Sequence, residues 1–173
     1  TGVSGMSTMY VDNLREKTLY NGVHIPGHVV QVKKWDIAPV TINTSGSWAA
    51  ATVPTIANTY AVEEYNFTKI YSNSKVMSWA MGNADPFSSA SGHPTIVCLF
   101  ETGGTYMGGA YRHVRVANDE PLAFNFAGED PTAGINKTYK LRCHSSNDGI
   151  RFGRSANNNS AHTYNVILME IAQ

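Results

Sequence analysis

Along most of this chain, apolar and polar or large and small residues alternate one for one. Leu122, Phe124 and Phe126 alternate with Ala123, Asn125 and Ala127. Tyr139, Leu141 and Cys143 alternate with Lys140, Arg142 and His144. Val76, Ser78 and Ala80 alternate with Met77, Trp79 and Met81. A period of two sends each set to one face of a β-strand. In the run from Lys75 to Met81 one face is small and the other large, which predicts a tight contact behind Ser78 and a deep core under Met77, Trp79 and Met81. The same period reads as strands at His28–Trp35 and around Tyr65–Tyr71. Thr95–Glu101 is continuously apolar and so is expected to be buried on both faces. Tyr164–Gln173 is apolar, rich in β-formers and free of turn residues, which predicts a central strand covered on both sides.

Turn signals cut these runs into short pieces. Ser72-Asn73-Ser74 and Asp148-Gly149 read as turns, and Gly82-Asn83-Ala84-Asp85-Pro86 reads as a strand breaker. Gly103-Gly104 and Gly108-Gly109 read as tight turns or bulges around a very short strand at Thr105-Tyr106-Met107, with Tyr111–Val116 as a separate strand. Asp36–Gly46, with Pro39, reads as a loop or edge connection, and Gly128–Asn136 as a loop. Ser47–Val53 is a short strand or helix closed by Pro54, and Ser155–Ser160 is an exposed tip. The result is roughly eight to ten short strands with no convincing helix, an all-β chain. The reading is an antiparallel β-sandwich, and the long polar loops favour the jelly-roll type. Residues 1–27, opening on Thr1-Gly2-Val3-Ser4-Gly5, form a short irregular leader packed on the domain or on neighbouring chains; residues 28–173 form the sandwich.

Composition narrows the function. Hydrophobic residues make up 42% of the 173, enough for a core, while charged residues are only 15%, against about 25% in average soluble proteins. Asn, Ser, Thr and Gly take their place, as on extracellular or virion surfaces. Thirteen basic residues balance 13 acidic ones, so no positive excess draws a phosphate backbone and no nucleic-acid partner is expected. No run approaches the ~18 apolar residues of a membrane span, and no charged-then-apolar signal peptide opens the chain. The first residue, Thr1, points to a processed product or a piece of something longer. Cys98 and Cys143 both sit inside strand-like runs and read as small buried apolar residues; a single cross-sheet disulfide is the alternative.

The chemistry-bearing residues do not assemble into a catalytic set. His24, His28, His93, His113, His144 and His162 are scattered and read as surface residues; Cys143-His144, being adjacent on a strand, point to opposite faces and cannot share a metal. There is no Gly-x-Ser-x-Gly elbow. Glu63-Glu64 and Glu129-Asp130 read as solvated loop or edge pairs. Glu170, on the apolar terminal run, must be either at a rim or paired, with Arg142, Arg151 or Arg154 as partners. No enzyme activity, metal or cofactor is expected. The ligand-facing candidates are the loop or strand-end residues Trp48, Tyr106, Tyr111, Arg112 and His113 and the tip residues Asn157, Asn158 and Asn159. A ring face stacks on the apolar face of a sugar, although core or interface packing competes for every one of these aromatics.

Several short stretches, in order along the chain, resemble one family. Gly27-His28-Val29-Val30-Gln31-Val32 resembles a G-x-V-x-Q-V opening. Lys69–Met77 resembles a T-P-x-S-x-S-K-I-L strand pair, with Lys69-Ile70 standing where Thr-Pro is usual. Thr138-Tyr139-Lys140-Leu141 and Val166–Ala172 resemble a T-Y-K-V … L-x-x-M-E-I-A ending, and Tyr10–Thr18 with Asn21–Ile25 resembles the V-D-x-I-x-E-K-T-x-G-N-G-V-x-I segment that often precedes it. These are features of the C-terminal jelly-roll domain of phage tail-fibre and virion structural proteins of the marine-phage type. The resemblance implies a virion location and a homotrimer that contacts other virion proteins. It also implies a tail-fibre or appendage tip that attaches to a host-surface glycan or protein. A capsid decoration or structural joint is the alternative role.

Overall fold

The structure, a computed structural model, describes residues 26–44, 53–86, 93–114, 122–145, 149–153 and 164–173; of these, the side chains of His93, Arg112, His113, Val114 and Leu122 are not described. Every regular element among them is a β-strand. They are β1 (Val29–Ile37), β2 (Val40–Asn43), β3 (Tyr60–Thr68), β4 (Lys75–Pro86), β5 (His93–Glu101), β6 (Tyr106–Val114), β7 (Leu122–Asp130), β8 (Asn136–Ser145), β9 (Gly149–Phe152) and β10 (Tyr164–Ile171). All pairings are antiparallel. The larger sheet runs β1-β10-β4-β7, with β9 and β2 continuing along the β10 side of β4; the smaller runs β3-β8-β5-β6.

With the short β2 and β9 set aside, the pairs β1·β10, β3·β8, β4·β7 and β5·β6 join first to last, second to seventh, third to sixth and fourth to fifth. These are successive segments of one long hairpin, and alternate segments lie in alternate sheets. That is the strand order of a jelly roll.

The interior is filled from both sheets. Tyr65, Phe67, Leu99, Tyr139, Leu141 and Cys143 enter from the smaller sheet, and Val76, Ala80, Phe124, Tyr164, Val166 and Leu168 from the larger. Burying each large apolar side chain is worth about 1.5–3 kcal/mol. Phe124, Phe152 and Tyr164 form one aromatic group, with centroids 5.4–6.5 Å apart. Cys143 faces this core beside its cross-strand neighbour Val97, while the next residue on β5, Cys98, faces outward into a second cluster with Ile96 and Phe100. The two thiols are free and on opposite faces of the sheet.

Four expectations change. First, Val76, Ser78 and Ala80 face the core, and Met77, Trp79 and Met81 lie half-buried on the outer face of the larger sheet. The small residues share this interior with the large aromatic residues Tyr65, Phe67, Phe124, Tyr139 and Tyr164. Second, β4 does not break at Gly82. A Cβ there would stand 2.3 Å from Tyr164 Cβ and 2.9 Å from Phe124 Cζ, so the glycine admits those rings and the strand continues to Pro86. Third, residues 106–114 form one strand. Of the turns or bulges expected at the glycine pairs, a turn lies at 102–104 and a bulge at Met107, where the register shifts between Leu99 and Phe100, so the strand runs on through Gly108-Gly109. Fourth, Val40–Asn43 is a strand, paired with β9, and β7 runs on to Asp130.

Candidate functional site

Two places on the sandwich gather polar or aromatic groups. The first is internal. β10 alternates buried and half-buried positions, so its inward set is Tyr164, Val166, Leu168 and Glu170. Glu170 is therefore carried inside with 0% exposure. Its carboxylate accepts hydrogen bonds from the backbone N–H of Ile70 (2.8 Å) and Tyr71 (2.8 Å), Ser74 Oγ (2.5 Å) and Gln31 Nε2 (2.6 Å). Burial alone would raise its pKa, but the donors from Ile70, Ser74, Tyr71 and Gln31 outweigh it and hold the carboxyl below its ordinary value. Among the described arginines, Arg142 binds Thr59 and Ile56 and Arg151 binds Asp85, and Arg154 lies outside the described residues. In place of the rim position or arginine pair expected from sequence, backbone and neutral side-chain donors from the Ile70–Ser74 turn and from β1 hold Glu170.

The same turn is held from its other side by Lys69. Its buried ammonium donates to the carbonyls of Ser72 (3.1 Å), Thr132 (3.3 Å) and Ser74. Burial, reinforced by the charge of Lys137, lowers its pKa against the opposing pull of Asp130 and Glu170. Asp130, expected to be solvated, is also fully buried. It accepts from Tyr139 Oη (2.9 Å) and Thr132 N (2.9 Å) and lies 3.6 Å from Lys137 Nζ. Its neighbour Glu129 points the other way and meets Lys75 at 3.2 Å on the outer face, as alternation requires. Glu63 and Glu64 are exposed on the edge strand β3. Glu170 and Asp130 thus both have carboxylate oxygens committed to donors, which fits a structural clamp.

The second place is the outer face of the smaller sheet. Residues 53–59 cover part of it. Ile56 packs on Ile96, Cys98 and Phe100, and Arg142 ties the segment down through Thr59 Oγ1 (2.8 Å), Ile56 O (3.0 Å) and Thr59 O. Beside this covered part lies β6. Register pairs Phe100 with Tyr106, Cys98 with Gly109 and Ile96 with Tyr111, so Tyr106, Gly109 and Tyr111 share the outer face. Tyr106 meets Phe100 edge-on at 5.6 Å, and a Cβ on Gly109 would stand 2.8 Å from its hydroxyl. The ring is thus laid along the sheet over a residue with no side chain, and 40% of Tyr106 is exposed; Tyr111, farther along, is 45% exposed. Fixed, exposed aromatic surface of this kind suits stacking on a flat apolar ligand face at low entropic cost.

Of the ligand candidates named from sequence, the structure brings Tyr106 and Tyr111 onto one face. Arg112 and His113 follow on β6, their side chains outside the described residues, and Trp48, Asn157, Asn158 and Asn159 lie outside them altogether. Sequence reading missed Gly109 and Phe100, which set the Tyr106 ring; the Gly108-Gly109 pair was the available signal. It also placed His144 on the surface, whereas it is buried beside the Tyr60 ring at 5.8 Å. Among the described residues no group of three or more His, Cys, Asp or Glu is arranged to hold a metal ion, and no helix is long and apolar enough to cross a membrane.

No protein-family model matches the chain, and no curated protein matches it. Among solved structures it is similar to the VP2 protein of the infectious bursal disease virus subviral particle, at 11% identity and a TM-score of 0.35. The match covers 84% of this chain and 39% of that one, so the chain spans about two fifths of that protein's length. The jelly-roll assignment rests on the strand order of this chain itself.

Proposed function

We propose that this chain is a non-enzymatic structural protein of a phage virion. In this reading it is a homotrimeric tail-fibre or appendage tip that attaches to a host-surface glycan through the outer face of β6. One observation carries the reading. Among the described residues, the stretches that resemble the phage-fibre domain come together in one place; the leader stretch lies outside them. Gln31 comes from the opening stretch, Ser74 from the serine-rich strand pair and Glu170 from the terminal stretch, and the first two donate to the carboxylate of the third. Tyr139, from the fourth stretch, holds Asp130 close by. Short matches scattered along a sequence are weak singly; their convergence on one buried clamp supports reading them as one inherited unit. The exposed tyrosines then supply the ligand surface, and the engaged carboxylates supply no catalyst.

Light scattering, a glycan array and intact host cells test this together. The expected result is a mass of about three chains, binding to a host polysaccharide, and loss of that binding of at least tenfold in Tyr106→Ala with the melting temperature little changed. A monomer that binds no glycan and no cell would overturn it, and a non-binding trimer that associates with purified virions would make it a capsid decoration or joint. Release of oligosaccharides from host envelope material would overturn the non-enzymatic assignment.

A further inference from the structure

The outer face of the larger sheet is apolar where the outer face of a solvated sheet would be polar. Register fixes its layout. One row across the strands is Val32, Met169 and Met77, and the next is Ile167, Trp79 and Ala127. Ile171 lies beyond the first row and Met81 beyond the second. Val32 is 53% exposed and Ala127 is exposed, while the Met, Ile and Trp side chains are half-buried. Around this centre stand charges of both signs, Lys34 with Asp36 at 2.8 Å and Lys75 with Glu129 at 3.2 Å. An apolar centre with a polar rim is the make-up of a covered surface, and methionines suit an irregular occupant.

We infer that the occupant is the chain's own leader, residues 1–25, laid across this face from the Ile171 end. Three observations select it. The leader joins the sheet at that corner, because Gly27 N donates to Ala172 O (2.8 Å) and Ala172 N to His28 O (2.9 Å), one residue past Ile171. Its length suffices: 25 residues reach up to ~80 Å when extended, against a face roughly 20 Å on a side. Its composition is complementary, with Met9, Val11, Leu14 and Leu19 set among Asp12, Arg15, Glu16 and Lys17, apolar groups for the centre and charges of both signs for the rim. Tethering gives the leader a local concentration in the millimolar range, which a second copy would have to match. This inference does not depend on the function proposed above.

The six methionines provide the test in the full-length chain. With methyl-13C methionine and a nitroxide on Asn13→Cys, the signals of Met77, Met81 and Met169 are expected to broaden several-fold more than that of Met107, which is buried in the interior on β6. Mixing nitroxide-bearing unlabelled chains with 13C-labelled chains free of nitroxide should abolish the effect. Leu14→Lys with Leu19→Lys should weaken it without changing the strand signal in circular dichroism. Equal broadening of all four methionines, or none, would overturn the inference. Broadening that persists in the mixed sample would assign the face to a neighbouring copy's leader and overturn it equally.

Discussion

At the scale of single residues, the decisive group is Glu170. A carboxylate on an apolar strand forces a choice between solvent and a partner, and the sequence carries that much. It does not carry the identity of the partner, because the main donors are backbone amides, which every residue possesses. Only a turn held against the end of β10 selects Ile70 and Tyr71. Removing the charge while keeping the shape isolates the effect. Glu170→Gln presents an amide NH2 to groups that are all donors, and is expected to destabilise the fold by about 2–4 kcal/mol, measured by chemical denaturation. Its pH dependence has a definite sign. The folded pKa lies below the ordinary 4.5, so the unfolded chain binds the proton first. The stabilisation is then fully present above about pH 5 and is lost as pH falls through 4.5 toward the lower folded value. The melting temperature should fall less steeply over that acid range in Glu170→Gln than in the parent.

At the scale of elements, period two was legible wherever one face met the core, as in β8 and β10. It was misjudged where size rather than polarity had to decide. In β4 both faces carry apolar residues, and bulk pointed the wrong way because Phe124 and Tyr164 lean over Gly82 and take interior volume on that face. Glycine was the other ambiguity. In β6 and β7 it marks close approach between strands, not turns. A Cβ on Gly128 would stand 1.3 Å from Met107 O, and one on Gly108, which has φ +133°, 2.8 Å from Ala127 O. These contacts join the edge strands of the two sheets backbone to backbone. Gly128→Ala is therefore expected to cost at least about 3 kcal/mol, with amide exchange faster along β6 and β7 than along β1 and β10. A neutral Gly128→Ala would mean that the sheets do not close on that side.

For the whole molecule, the all-β class, the sandwich and the central place of the last strand follow from alternation and turn spacing. The proposed ligand face was half legible: the tyrosines could be named, but only the pairing of β6 with β5 puts Tyr106 and Tyr111 on one face. The jelly-roll order has a further effect, on synthesis. β10 lies between β1 and β4, yet among the described strands it is the last to leave the ribosome. Until it arrives, β1 has no partner among the described strands, the Ile70–Ser74 turn lacks its anion, and the two edges that β10 will fill stand open to pairing with other nascent chains. A chain ending before Tyr164 should thus be digested throughout by protease, including the smaller sheet, which contains none of the missing residues; survival of β3, β8, β5 and β6 would show that the sheets fold separately. Completion of the domain therefore waits for Tyr164–Ile171 to be made, so only chains that include this strand reach the folded state and enter any larger assembly.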